Sequence, residues 1–284
     1  MAEIILEHIE YAHGKDTPYE IHALKDVCMQ IPEGKITGII GHTGSGKSTL
    51  VQMFNGLLRP HEGRVLLDGV DIWEKPKQIR DVRFRVGLAM QYPEYQLFEE
   101  TIAKDIAFGP KNMGLDEFEI AERVAEAARF AGLDDELLEK SPFDLSGGQK
   151  RRAAIAGIIA MRPNVLVLDE PAAGLDPKGR EDIFNNIVEY QQKSKSTVVI
   201  VSHSMEDMAR YCDNLIVMNA GKICMQGDRD YVFSRSEQLG QIGLDIPQVT
   251  KLMLLLKSRG MDVDEGVYTV DQAMENLLKK LKKA

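Results

Sequence analysis

The chain has 284 residues, 44% of them hydrophobic and 28% charged, with a formal net charge of −9. That is enough chain to bury a core, as one large domain or one domain plus an appendage, and the acidic balance argues against broad nucleic-acid binding through phosphates. No stretch approaches the roughly 18 uninterrupted apolar residues of a membrane span, and the start, MAEIILEHIEY, lacks the basic and apolar regions of a signal peptide. The expectation is a soluble, cytosolic protein. The three cysteines, Cys28, Cys212 and Cys224, are scattered without metal-ligand spacing and are expected to be free, buried thiols.

Short β-rich runs alternate with helical patterns, which predicts an α/β core around a largely parallel sheet. The run KITGII (35–40) reads as a strand, followed by a Gly-rich loop and a helix over STLVQMFNGLL (48–58). The loop, GHTGSGKS (41–48), matches the phosphate-loop pattern G-x-x-x-x-G-K-[ST]. Its glycines let the backbone curl until N–H groups point at phosphate oxygens, and the following helix N-terminus adds partial positive charge. Gly41, His42, Thr43, Gly44, Ser45 and Gly46 are therefore assigned to nucleotide binding, with Thr49 just beyond. Lys47 would neutralise the β- and γ-phosphates, and the Ser48 hydroxyl would bind the Mg²⁺ that bridges them.

Further on, residues 99–162 take on helical spacing, with apolar positions at Ile120, Val124 and Ala127 or Ala128. This reads as a helical insertion of about residues 95–160. NVLVLDE (164–170) is a continuous apolar run ending in acids, as a strand buried on both faces should be. STVVIVSH (196–203) and NLIVMN (214–219) have the same character. Two adjacent carboxylates at a buried strand end are costly unless a cation or bound water uses them. Asp169 is placed to hold Mg²⁺ through its water shell, and Glu170, on the other side, to polarise an attacking water.

A second domain is expected over 241–284, after a first domain over 1–240. Val249, Leu252, Met253 and Leu256 fall at helical spacing, as do Val270, Met274, Leu277, Leu278 and Leu281. Thr269 with Gln272 fits a capping box, and the Lys-rich end suits a helix C-terminus. Two amphipathic helices are predicted, either docked on the first domain or serving as a contact to a partner.

DLSGGQKRR (144–152) contains LSGGQ, the signature of ATP-binding-cassette (ABC) ATPases, and the chain resembles that family over about residues 3–235. Gln91 stands where the family's Q-loop glutamine stands, AGLDP (173–177) resembles its D-loop, and His203 resembles its switch histidine. The resemblance implies a P-loop NTPase cassette with a RecA-like parallel core, N-terminal antiparallel strands and an inserted helical subdomain. It also implies a head-to-tail dimer in which Ser146, Gly147, Gly148 and Gln149 of one cassette cover ATP bound to the other. Glu170 and His203 would then be catalytic with Lys47. Gln91 would join Ser48 and Asp169 on Mg²⁺, and Asp176 would act across the interface. The family stacks adenine on an aromatic near the end of the first strand, a place that falls on His13 or on Tyr11.

The stretch QYPEYQLFEET (91–101) resembles a narrower pattern, Q-x-P-E-x-Q-L-F-x-x-T, of the ATPases of energy-coupling factor (ECF) transporters, which include cobalt and nickel uptake systems. TPYE (17–20), PKGR (177–180) and QLGQIGLDIPQV (238–249) resemble the second of the two ECF ATPase types. This implies an ATPase at the cytoplasmic face of the membrane that powers uptake of vitamins or transition-metal ions. Its partners would be a transmembrane T component, S components acting through it, and a second ECF ATPase or another copy of itself. Glu94, Glu99 and Glu100 would then rim a docking slot formed by Tyr95, Leu97 and Phe98; alternatively, Leu97 and Phe98 fill the helical subdomain core. An ordinary ABC importer ATPase and a soluble, non-transport ABC ATPase are the other readings.

Overall fold

The computed structural model describes residues 2–281, with side chains through Lys279. Strands β1 (Ile4–His13) and β2 (Ile21–Ile31) pair antiparallel. Their alternate residues, Ile4, Leu6 and Ile9 against Leu24, Val27, Met29 and Ile31, are buried, as a sheet with one wet face requires. The fully buried strand β3 (Ile36–Ile40) leads through residues 41–46 into α1 (Lys47–Phe54). That helix stops short of the predicted residue 58, with Asn55 as its C-cap. Strands β4 (Glu62–Leu67) and β5 (Val70–Asp71) complete the first sheet, in the order β2-β1-β4-β5. Helix α2 (Ile79–Arg85) then leads to β6 (Val86–Ala89).

The predicted helical insertion consists of α3 (Ile102–Asn112), α4 (Glu117–Phe130), α5 (Asp135–Leu138) and α6 (Gly147–Ile159). Thr101, Asp116 and Ser146 each accept a backbone N–H at a helix start. The chain continues through β7 (Val165–Asp169), α7 (Pro177–Ser194), β8 (Thr197–Val201), α8 (Met205–Tyr211), β9 (Asn214–Asn219) and β10 (Lys222–Asp228). The central sheet has the order β10-β9-β3-β8-β7-β6 and is parallel except for β10.

Each inner strand feeds two cores. Leu166 and Leu168 of β7 and Val198 and Ile200 of β8 join the cluster built with the inserted helices, α7 and α8. Val165, Val167, Val199 and Val201 join the cluster shared with α1 and the first sheet. The period-2 alternation of a strand accounts for this division, and burial on both faces accounts for the unbroken apolar runs.

Helices α9 (Arg229–Phe233), α10 (Ser236–Gln241), α11 (Gln248–Ser258) and α12 (Val270–Leu281) follow. Thr269 and Gln272 form the expected reciprocal cap, each side chain accepting the other's backbone N–H. Met253, Val263, Val267 and Ala273 make a small core of their own. Leu244, Ile246 and Tyr268 meanwhile join the main one. Leu252, Met274 and Leu278, expected on the apolar faces, are about half exposed, and Val270 is more open still. The side chain of Leu281 and the Lys-rich end from residue 282 lie outside the described residues. Cys212 is buried as expected, but Cys28 and Cys224 are exposed: each sits on the outward phase of its strand, β2 or β10.

Candidate nucleotide site

The loop after β3 has no room for side chains at two of its glycines. A Cβ on Gly41 would lie 2.3 Å from the Met218 carbonyl oxygen, and one on Gly46, at φ 101°, would lie 2.5 Å from that of Ala23. The loop is thus wedged between the ends of β2 and β9. Lys47 Nζ donates to the carbonyls of Gly41 at 2.6 Å and His42 at 2.8 Å. Burial pushes this ammonium's pKa down, and the nearby Glu170 and Asp169 push it back up. The Ser45 hydroxyl is buried without a hydrogen-bond partner among the described residues. His42 faces away from the loop, its Nε2 2.8 Å from the Ile242 carbonyl in the segment leading to α11.

Asp169 ends β7 with only 6% exposure. Burial raises its pKa; the Ser48 hydrogen bond and Lys47 oppose that, and Glu170 reinforces it. Glu170 turns out of the strand at φ 52°, its N–H donating to the Val201 carbonyl at 2.9 Å. Its Oε1 lies 2.9 Å from His203 Nδ1, and the histidine stands open at the end of β8. The parallel pairing of Asp169 with Val201 brings these two chain segments together.

Two adjoining cavities meet here. One, of about 340 Å³, is lined by His13, Thr43, Gly44, Ser48, Thr49 and Asp169, with Ile21 and His22 on its wall. The other, of about 510 Å³, is lined by Gly41, Tyr92, Arg180, Asp207 and His203. Thr43, Lys47, Gln91 and Glu170 line both. Residues from four distant motifs are therefore brought to one place. His13 also sits with Nε2 3.1 Å from the Thr49 hydroxyl. Tyr11 lines neither cavity and stacks on His61, with ring centroids 4.8 Å apart.

The hydroxyl of Ser48, the carboxylate of Asp169 and the amide oxygen of Gln91 are all oxygen donors, which suit Mg²⁺ rather than a softer ion. With the cradle around Gly41 and Gly46 and the unpartnered Ser45 hydroxyl, the residues fit a Mg²⁺–polyphosphate.

The signature residues stand apart from these cavities. Ser146 caps α6, accepting from the Gln149 N–H, while the Gln149 side chain accepts the Ser146 N–H at 2.9 Å. Gly147 has open space where a Cβ would stand, leaving the helix N-terminus accessible, and Gly148 lies beside Leu175. Asp176 caps α7 by accepting from the Gly179 N–H at 2.7 Å.

The segment after Gln91 departs from expectation at its acids: Glu100 pairs with Lys104, and none of Glu99, Glu100 and Tyr95 lines the apolar groove beside Leu97 and Phe98. Glu94 does not rim a slot: Arg151, 3% exposed, donates to its two carboxylate oxygens at 3.0 and 2.6 Å. The same arginine donates to the Ala173 carbonyl and lies over the Tyr92 ring. A guanidinium buried this far needs a carboxylate partner, and Glu94 is consumed in that pairing. Tyr95 is exposed, and Phe98, 64% exposed, packs edge-on against Phe108 rather than filling the subdomain core. Leu97 is half-buried against the core, and both it and Phe98 line an apolar groove of about 470 Å³ with Leu57, Phe84 and Ile158. Sequence reasoning missed Arg151, Arg180 and Asp207. Arg180 donates to Asp207 at 2.8 Å across a sequence gap that carries no local pattern.

Residues 24–173 match the family model described as ABC transporter. The energy-coupling factor transporter ATP-binding protein EcfA2 of Caldanaerobacter subterraneus is 52% identical over 98% of this chain and 98% of its own length. The protein of that name from Clostridium tetani is 50% identical over 97% and 96%. Among solved structures, cbiO1 of Clostridium perfringens, described as part of the ABC transporter complex cbiONQ, superposes with TM-score 0.75 at 40% identity. That match covers 88% of this chain and 98% of cbiO1. A dimeric bacterial ABC transporter cassette, MJ0796, matches with TM-score 0.71 at 27% identity over 79% of this chain and 98% of its own.

Proposed function

This chain belongs to the ABC transporter family, among the ATP-binding proteins of energy-coupling factor transporters, and from that membership we propose how its own residues bind and spend ATP. It is the ATPase subunit of such a transporter. Lys47 and the inward N–H groups of residues 41–46 receive the phosphates. Ser48, Gln91 and Asp169 would hold Mg²⁺, which when bound would neutralise charge on the β- and γ-phosphates. Glu170 accepts a proton from the attacking water, and His203 holds the γ-phosphate and that water in line. His13 rather than Tyr11 packs on adenine, supported by its place on the cavity wall.

The chain works as a dimer, with a second ATPase of its kind or with its own copy. The exposed start of α6 supports this, because Ser146, Gly147 and Gly148 offer donors that their own chain's cavities do not use. The groove beside Leu97 and Phe98 takes a helix of the transmembrane T component, placing the protein at the cytoplasmic face of the membrane. S components then bring vitamins or transition-metal ions. No helix among the described residues is long and apolar enough to span the membrane itself.

The observation that carries the catalytic reading is the 2.9 Å contact between Glu170 and His203 on a cavity wall shared with Lys47. Its test is Glu170→Gln. Turnover should fall by about 10²–10⁴-fold while ATP binding and an ATP-dependent dimer persist, read by phosphate release and light scattering. Wild-type turnover in that variant would remove Glu170 as the base.

A further inference from the structure

Two irregularities in the first sheet fall side by side. Leu6 of β1 pairs with Met29 of β2, and Ile9 with Val27, so Glu7 and His8 stand opposite Cys28 alone. The next pair is Tyr11 with Leu24, which sets Lys25 and Asp26 against Glu10 alone. At these two places each strand carries one extra residue and the two shifts cancel; a third shift follows between Tyr11 and Ala12, where Ala23 of β2 is extra. His8 and Asp26 both take a left-handed backbone, at φ 52° and 51°, a conformation that costs energy for a residue with a side chain. Bulges of this kind re-aim side chains.

Here they aim three donors at one point. His8 Nδ1 lies 2.7 Å from Asp26 Oδ1 and 3.6 Å from Cys28 Sγ, and the three ligand atoms all lie within 4.8 Å of one another. Cys28 Sγ also accepts the His8 N–H at 3.2 Å, and the Asp26 N–H donates to Glu10 at 3.2 Å, so both bulges are held in place. Leu6, Ile9, Val27 and Met29 occupy the buried face of the same strands, which leaves His8, Asp26 and Cys28 on the water side.

We propose that His8, Asp26 and Cys28 form a binding site for a divalent transition cation of the Zn²⁺ type, distinct from the Mg²⁺ of the nucleotide site. Imidazole, thiolate and carboxylate together favour Zn²⁺, Co²⁺ or Ni²⁺ over Mg²⁺. Zn–ligand bonds of about 2.0–2.3 Å in a tetrahedron put donors roughly 3.3–3.6 Å apart. The His8–Cys28 separation already meets this, and the His8–Asp26 pair reaches it by a small rotation of two exposed side chains. Binding releases the thiol proton and any proton on His8 Nδ1, leaving thiolate, neutral imidazole and carboxylate as ligands. Water fills the fourth position. The bound ion cross-links β1 to β2 at the bulges.

The test is a Co²⁺ titration of the full-length, chelator-treated protein without nucleotide. A thiolate-to-cobalt charge-transfer band should appear, saturate at one equivalent and disappear on adding Zn²⁺. The nucleotide site's oxygen donors give no such band, so failure of this site and failure of the ATPase reading remain separable. Cys28→Ser should abolish the band and Cys224→Ser should keep it. Zn²⁺ should also raise the Tm of the wild type but not of His8→Ala, with the ATPase rates of His8→Ala and Cys28→Ser unchanged. Absence of the band in the wild type, or its persistence in Cys28→Ser, would overturn the proposal.

Discussion

The nucleotide site and the segment that follows Gln91 are neighbours with opposite economies. Around Lys47, Asp169 and Glu170, charged groups are buried against one another, and burial pulls both the lysine and Asp169 toward neutrality. Around Tyr95 and Phe98, apolar rings stand in water, while the charge of Glu94 is paired inward to Arg151. The first region holds unfavourable electrostatics that the polyphosphate and cation proposed above would relieve. The second holds unfavourable exposure that the proposed partner surface would relieve. On that proposal, burial of unlike kinds of group separates a ligand site from a docking site, although the two begin at the same residue.

Breaking the tie between the regions should have the largest effect. Arg151→Ala strands the Glu94 carboxylate and frees the Ala173 carbonyl. The expected loss of stability is about 3–5 kcal/mol, read by denaturant unfolding, and Glu94→Gln in the Arg151→Ala background should restore part of it. A loss below about 1 kcal/mol would mean that solvent already screens the pair. The docking side is tested alone by replacing Leu97 and Phe98 together with alanine. Affinity for the T component should fall about 10–100-fold, corresponding to a hot spot of roughly 1.4–2.8 kcal/mol, with ATP affinity unchanged. Unaltered co-purification with the T component would leave the groove without this occupant.

The smallest effect belongs to the chemical side. Asp169 has its pKa raised in the folded state, so that state holds more protons than the unfolded chain between the usual carboxylate pKa and the raised one. Its contribution to stability therefore declines as pH rises through that window. Asp169→Asn removes the cost. The nucleotide-free variant should melt higher, by about 2–4 °C for each kcal/mol relieved, while its ATPase activity is lost. A lower Tm would show that the Ser48 hydrogen bond and Lys47 outweigh burial.

The central strands and the phosphate loop were legible in the sequence because their signals are local. A run such as NVLVLDE states its own burial, and a glycine pattern states its own backbone. The cap formed by Thr269 and Gln272 was legible for the same reason. Glu94 was misjudged because its partner lies 57 residues away and an arginine in KRR looks solvated until it is buried. Cys28 and Cys224 were misjudged because a cysteine's apolar character does not say which phase of its strand faces water. The stacking of Tyr11 on His61 was not legible, because it depends on packing that register alone does not contain.

Strand β7 couples architecture to chemistry through parity. Val165 and Val167 face one core and Leu166 and Leu168 the other, and the count continues past the last apolar residue. Asp169 comes out on the side of α1 and Ser48. Glu170 lies beyond the strand at φ 52°, and the turn there, not the alternation, aims it at His203. The side on which Asp169 emerges is therefore an odd–even property of a five-residue strand. Apolar exchanges inside it are local matters of volume. An insertion or deletion of one residue would swap both cores and carry Asp169 to the other face. The strand's length, more than its composition, sets where Asp169 stands.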